Sequence, residues 1–357
     1  MYKHEIHISD VRTFRECRRK WFFASPLSMN LERATPYAPF FLGSAVHSCL
    51  QAMYEGKDWQ EVLWAFVEGQ VAKMGTRLLE IEQNLVDEQS TLAYGILQHY
   101  DMWRKLNVNQ WSDMNLDVLA TETIFTVPVA GSRKIVLSGR FDGIVRRKDT
   151  GTYWILENKT ARSISELAAT LEMDSQANAY CLAARKIYGY AVSGILYNII
   201  RKKIPVSPVQ LRDGTLSLNT SIDTTPWWYA ACVDEAHPDL TADERKQMYG
   251  GIIGHLWANK QDAYFLRVPV RRSDAELSAF EQQFLQTAKE MVKTSTPHYP
   301  SDGWHCRYCV FNGPCRLMQT GNVEGLRACI EAEYRRREVW SPEANGFEEA
   351  SNETNKS

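Results

Sequence analysis

LSGRFDGIVRRKDTGTYWILENKT, residues 137–160, decides the fold of this chain. KIVLSGRFDGIV before the turn and TYWILENK after it are rich in β-branched and aromatic residues. Lys148-Asp149-Thr150-Gly151 between them is turn chemistry, so the spacing predicts a β-hairpin. A loop symmetric about Asp149 and Thr150 sets Asp142 directly opposite Glu157, with Cβ atoms roughly 4.5–5.5 Å apart. Lys159 lies two residues beyond Glu157 and points to the same face. Two carboxylates and an ammonium then share one patch. Hard oxygen ligands that close suit Mg²⁺ or Mn²⁺, and a lysine beside them can orient a water or offset transition-state charge. The competing reading is a surface hairpin with an ordinary cross-strand ion pair; a register slip of one residue would remove the convergence.

Outward from the hairpin, VLATETIFTVPV alternates and adds a strand from Asp117 onward. Ser163-Ile164-Ser165-Glu166 is a capping box ahead of a helix of about 22 residues closed by Gly189. AVSGILYNIIRKK reads as a buried strand. Toward the N-terminus, Ile8-Ser9-Asp10 opens one helix, VRTFRECRRKWFF, that carries Cys17. Gly43-Ser44 opens a second, closed by Gly56, and residues 58–108 read as two or three more. Helices, three strands, a helix and a strand make an α/β core with a mixed sheet. Beyond it, PVSPVQLRDGTLSLN suits a hairpin, LTADERKQMYGGIIGHLWANK a helix, and residues 273–294 another helix. The expected division is a helical region with Cys17 and His47 (1–116), a core (117–204), an insertion (205–270), a C-terminal helix with a cysteine region (271–340) and an acidic, disordered tail (341–357).

The 357 residues are 44% hydrophobic, enough for a large core. A net charge of −2 excludes a global cationic field, so any nucleic-acid contact needs local patches. Arg18-Arg19-Lys20, Arg146-Arg147-Lys148, Arg201-Lys202-Lys203 and Arg271-Arg272 are the candidates. MYKHEIHISD has no apolar leader, and no run approaches eighteen apolar residues, so a cytosolic protein with no membrane span is expected. Eight cysteines there point to metal or burial rather than disulfides.

Cys306-Arg-Tyr-Cys309-Val-Phe-Asn-Gly-Pro-Cys315 is a metal-binding nest with three thiols. Cys17 is the best remote fourth ligand; Cys329 is an alternative, as are His298 and His305 if the metal is zinc. Spacing does not separate zinc from an iron–sulfur cluster. Cys49, Cys181 and Cys232 sit among apolar residues and read as buried thiols.

Taken together, these residues resemble the PD-(D/E)XK nuclease superfamily, in its RecB/AddB-like exonuclease branch with a four-cysteine 4Fe-4S cluster. Gly43-Ser44-Ala45-Val46-His47 looks like that family's helical Gly-x-x-x-His. Gly139-Arg140-Phe141-Asp142 looks like its metal-binding strand, and Glu157-Asn158-Lys159 like its acidic-x-Lys signature. Gln176-Ala177-Asn178-Ala179-Tyr180 looks like its Gln-x-x-x-Tyr, and Cys17 with Cys306, Cys309 and Cys315 like its split cysteine pattern.

The resemblance implies a restriction-endonuclease-like α/β core. It implies Mg²⁺ or Mn²⁺ held by His47, Asp142, Glu157 and the carbonyl of Asn158, with Asp142, Glu157 and Lys159 catalytic and Lys159 positioning the attacking water. Gln176 and Tyr180 would contact DNA near the scissile phosphate, and a structural cluster would sit on Cys17, Cys306, Cys309 and Cys315. It implies a DNA exonuclease acting at free or single-stranded ends in repair, recombination or phage DNA processing, with room for a partner protein or a homo-oligomer. No G-x-x-x-x-G-K-[ST] motor motif is present. The alternatives are a non-catalytic DNA-binding or adaptor subunit of a recombination, repair or CRISPR-adaptation complex, and a zinc-stapled interaction domain.

Overall fold

The computed structural model describes residues 4–34, 38–74, 80–189 and 192–337. The chain forms two compact units, one of residues 1–8 and 36–289, the other of residues 9–35 and 290–357. In chain order the elements are β1 (His4–His7), α1 (Ile8–Glu16), α2 (Arg18–Ala24), β2 (Leu31–Arg33), α3 (Ala38–Tyr54), α4 (Trp59–Met74) and α5 (Glu80–Leu106). Then come β3 (Leu116–Pro128), β4 (Ile135–Arg147), β5 (Tyr153–Ala161), α6 (Ile164–Ala168), α7 (Ser175–Tyr188) and β6 (Val192–Arg201). The chain continues through α8 (Pro226–Ala236), α9 (Ala242–Lys260), β7 (Phe265–Val270), α10 (Asp274–Met291), α11 (Asn312–Gln319), α12 (Val323–Glu333) and β8 (Tyr334–Arg336).

The larger unit is built on a six-stranded mixed sheet, ordered β1-β4-β5-β6-β7, with β3 also paired to β4. The fold class is therefore α/β with a central mixed sheet flanked by helices, as expected. The hairpin register holds: Gly143 pairs with Leu156 and Arg146 with Tyr153, and Gly151 takes a φ of 66° in the turn. The ladder stops at Gly143–Leu156, one rung short of Asp142 and Glu157. The reason is β1, a strand of four residues that sequence reasoning missed. It runs parallel to β4 at residues 135–138, on the edge β5 uses at 143–146, so Gly139 to Asp142 face a gap between the two neighbours.

Two other expectations change. The helix of about 22 residues after the hairpin is broken. Ser163 caps α6, a short 3₁₀ turn follows at 171–173, and Asp174 caps α7 by accepting from the Gln176 amide at 2.9 Å. β7, at the end of the expected insertion, is the sheet's outer strand, where Pro269 is tolerated because it lies on an edge. PVSPVQLRDGTLSLN makes a minimal hairpin, as expected: one antiparallel bridge, Gln210 to Leu216, is flanked by Leu211 N–H to the Thr215 carbonyl at 2.7 Å and Ser217 N–H to the Val209 carbonyl at 2.8 Å.

One sheet face is covered by α3, α4 and α5, whose Ala45, Val46, Leu50, Leu63, Ala93, Ile96 and Leu97 are fully buried. On α7, Ala177, Ala179, Ala183 and Ala184 are fully buried, and small side chains let a helix lie close to its neighbours. Gly194 is required on β6: a Cβ there would stand 2.4 Å from the Val270 carbonyl oxygen. Between β6 and β7, α8 and α9 close a satellite core of Leu216, Tyr229, Val233, Tyr249, Ile252 and Leu256. No described helix is long and apolar enough to cross a membrane.

In the smaller unit Cys17 splits the predicted N-terminal helix in two. It is the N-cap of α2, with extended backbone, and its sulfur accepts from the Lys20 amide at 3.5 Å. Phe23 and Tyr334 stack on the two sides of Phe311, and β2 pairs antiparallel with β8. The expected acidic tail from about residue 340 lies outside the described residues.

Candidate active site

At the gap in the sheet, β4 supplies Asp142 and β5 supplies Glu157, Asn158 and Lys159. With the β4 ladder already ended, the Asn158 main-chain N–H donates to Asp142 Oδ2 at 2.7 Å instead. His47, three helical positions past Ser44 on α3, brings Nδ1 to 3.3 Å from the same oxygen. Lys159 Nζ donates to Glu157 Oε1 and to Gln176 Oε1, each at 2.6 Å, and Gln176 Nε2 donates to Glu157 Oε1 at 2.7 Å. Thus His47, Asp142, Glu157, Asn158, Lys159 and Gln176 meet at one place.

Tyr180 lies one turn beyond Gln176, 8% exposed, with its ring edge-on to Phe125 and Phe141. Gly139 makes room for this packing. A Cβ there would come within 2.6 Å of the Phe125 ring, which stacks on Phe141.

Burial and charge set the two carboxylates apart. Burial, and after it the Asp142 charge, push Glu157 up to about 7 against the pull of Lys159. Burial also works to raise Asp142, but the hydrogen bond and charge of His47, with the Asn158 amide, outweigh it and hold Asp142 below the ordinary value. Burial disfavours the His47 cation; the Asp142 carboxylate outweighs that and raises the His47 pKa.

Glu157 Oε2 is buried and has no hydrogen-bond partner among the described residues. An ionised oxygen in that state is costly unless something positive reaches it. Among the described residues no group of three or more His, Cys, Asp or Glu side chains stands ready to hold an ion as the side chains lie. The orphaned oxygen and the low-lying Asp142 nonetheless make a donor set of the kind that fits a hard divalent cation.

Several residues here were not singled out from the sequence. On the opposite face of β5, the Asn158 side chain joins a polar ladder across three strands, in register with Asn198 on β6 and Arg267 on β7. Asn198 Nδ2 donates to Asn158 Oδ1 at 2.8 Å and to Tyr100 Oη at 2.9 Å, and Tyr54 Oη donates to Asn158 Oδ1 at 3.2 Å. Arg267, whose side chain is 1% exposed, donates to the Trp111 carbonyl at 2.6 Å and pairs with Asp113. The signal was a lone polar residue in an apolar strand, Asn198 in GILYNII and Arg267 in FLRVPV. Glu122 sits on β3 between Thr121 and Thr123, which pair with Gly143 and Phe141, and so faces Asp142. Its φ of 48° is a left-handed conformation that costs a non-glycine residue about 1–3 kcal/mol.

In the smaller unit Cys17, Cys306, Cys309 and Cys315 all line one cavity of about 480 Å³. The Cys17 sulfur also accepts from the Ser301 amide at 3.4 Å, and all four are free thiols. Sulfur atoms gathered round a cavity and met by N–H donors are the chemistry a thiolate-held metal group needs. Cys329 is a free thiol packed against the apolar cluster of Phe23 and Phe311. Cys49 and Cys181 are buried, as read from their apolar surroundings, and Cys232 is half-buried.

No curated protein matches this chain. A family model described as the PD-(D/E)XK nuclease superfamily matches residues 6–316, a span that takes in both the strand gap and the cysteine nest. With a mixed sheet that splays where Asp142, Glu157 and Lys159 meet, the chain belongs to the PD-(D/E)XK nuclease superfamily.

Proposed function

We propose that the protein is a metal-dependent DNA exonuclease of the RecB/AddB-like branch, working in the cytosol on free or single-stranded ends in repair, recombination or phage DNA processing. The observation that carries this reading is Glu157 Oε2, buried and without a partner beside Asp142 and Lys159. His47, Asp142, Glu157 and the Asn158 carbonyl would hold Mg²⁺ or Mn²⁺. Such an ion, when bound, polarises a phosphate oxygen and makes a bound water more acidic.

The protein's own groups do the rest. Lys159, fixed by Glu157 and Gln176, presents its ammonium to the attacking water and to charge developing on the phosphate. Asp142, ionised through its contacts with His47 and the Asn158 amide, stays a carboxylate across the working pH range. The edge of α7 with Gln176 and Tyr180 would border the strand near the scissile phosphate. In the smaller unit, Cys17, Cys306, Cys309 and Cys315 would hold a structural 4Fe-4S cluster, whose binding free energy becomes folding free energy for that unit.

The test is digestion of end-labelled single- and double-stranded DNA with Mg²⁺ or Mn²⁺, wild type beside Lys159→Ala, on protein purified without oxygen. Stepwise shortening from one end that vanishes in the variant supports the exonuclease. Internal cuts would keep the nuclease and remove the exonuclease mode. DNA binding without cleavage by either protein would favour the adaptor reading.

A further inference from the structure

On β4, Arg140 precedes Asp142 by two and therefore faces the same side of the strand. Its Nε is 2.6 Å from Glu122 Oε2, and among the described residues Glu122 is its only ion-pair partner. Glu122 is nearly buried, its side chain 10% exposed, whereas the Arg140 side chain is 47% exposed. The guanidinium is thus held at Nε, and its two terminal nitrogens have no partner among the described residues.

Three observations place this fork at the site's mouth. Glu122 faces Asp142 across the β3–β4 ladder. The Glu122 carboxyl, raised above its ordinary value by burial and drawn back by Arg140, also feels the charges of Asp142 and His47. The Arg140 charge reaches the Tyr180 hydroxyl on α7. An ordinary surface ion pair does not need its acidic member in a left-handed conformation, yet Glu122 holds a φ of 48°. From that conformation the Glu122 carboxylate meets the guanidinium of the residue diagonally across the ladder.

We propose that Arg140 is a substrate-binding residue that clamps a backbone phosphate of the DNA strand entering the site, with Glu122 as the positioning residue that holds its guanidinium toward the opening. The assignment rests on the DNA-cleaving function proposed above. A guanidinium suits the task because its open edge can meet two phosphate oxygens at once, whereas an ammonium offers one point of charge. The contact is to the backbone, so it adds affinity without reading sequence. Arg140 and Lys159 divide the work: Lys159 is committed to Glu157 and Gln176, and the terminal nitrogens of Arg140 have no partner among the described residues.

The experiment is equilibrium binding of a fluorescent single-stranded oligonucleotide across a KCl series. The cleavage-dead Lys159→Ala protein is compared with Lys159→Ala carrying Arg140→Ala, Arg140→Lys or Glu122→Gln. Removing one phosphate contact should lower the slope of log K against log[salt] by about 0.7 and weaken binding about equally for oligonucleotides of different sequence. Arg140→Lys should keep the slope while binding less tightly than arginine, and Glu122→Gln should keep the slope as well. A merely structural Arg140 would change the melting temperature and leave the slope alone, which would overturn the assignment. Binding by the Lys159→Ala parent with an unchanged slope in Arg140→Ala removes only this proposal. No DNA binding by the parent removes the DNA-cleaving reading and this assignment with it.

Discussion

The main-chain amide of Asn158 donates to Asp142 Oδ2 at 2.7 Å, at the point where the ladder between their strands has already ended. A side chain thus replaces a carbonyl as the acceptor. The bond ties the aspartate to the strand that carries Glu157 and Lys159. Because His47 reaches the same oxygen, three elements of the fold converge on one atom.

Glu157 should make the metal-free protein pH-sensitive. Its folded pKa is raised, by burial first and then by Asp142, so the ionised form is disfavoured in the folded state. The cost is absent below the ordinary carboxylate range, grows as pH rises through it, and is complete above about 7. In EDTA, Glu157→Gln should therefore melt at least about 2 °C above wild type at pH 8 and level with it near pH 4. Adding Mn²⁺ should raise the melting temperature of wild type but not of the variant. Equal melting curves at pH 8 would contradict this account of Glu157.

Gln176 bridges Lys159 and Glu157, so its loss should harm chemistry more than binding. Gln176→Ala should lower kcat about 10-fold with KM within a factor of two or so, because the lysine keeps its charge and loses its aim. Steady-state kinetics on a fixed oligonucleotide decide it. A rise in KM at constant kcat would make Gln176 a ground-state binding residue instead.

Arg267 is buried with its hydrogen-bond network and cannot be removed cheaply. Arg267→Ala leaves Asp113 only its longer contact with Arg104 at 3.4 Å, and it removes donors from Tyr100 and the Trp111 carbonyl, for a loss of about 3 kcal/mol in urea unfolding. Asn198→Leu is the finer probe. It removes the shorter of the two bonds to Asn158 Oδ1, leaving that from Tyr54, and should weaken Mn²⁺ binding about 10-fold, measured by titration calorimetry.

His99, on α5, offers a second pH effect. It is 6% exposed, its ring edge-on to Trp228 at 4.6 Å, and its Nδ1 has no partner among the described residues. Burial lowers its pKa to about 4. The unfolded chain binds that proton more readily, so stability is full above pH 6.5 and falls as pH drops from 6.5 toward 4. His99→Phe should flatten that limb by about 2–3 kcal/mol. An unchanged slope in acid unfolding would assign the acid sensitivity elsewhere.

The cysteine nest predicts a separate loss. Cys309→Ala should give colourless protein with less iron and a smaller unit that is cut first in limited proteolysis. Brown, iron-replete Cys309→Ala protein would remove Cys309 from the proposed cluster.

Local chemistry in the sequence was enough to set the hairpin. Its turn residues, alternation and register follow from side chains a few positions apart, and Gly143–Leu156 pair as symmetry about Asp149 and Thr150 requires. Asp142, Glu157 and Lys159 were legible from that hairpin, whereas His47 and Gln176 were picked out only through the resemblance to the nuclease family. What pairs with what over long distances was not legible. β1 has four residues and no pattern of its own, yet it takes the edge of β4 that opens the gap at Asp142. Asn198 and Arg267 stood out only as polar residues in apolar strands; their role depends on a register shared by three strands. Glu122 and Arg140 are ordinary charges until β3 sets one diagonally across from the other, and only the folded chain puts them beside Asp142. Periodicity encodes which face a residue takes within its own element. Which element lies beside it is decided by burial summed over the whole sheet, and that sum is not written in any one segment.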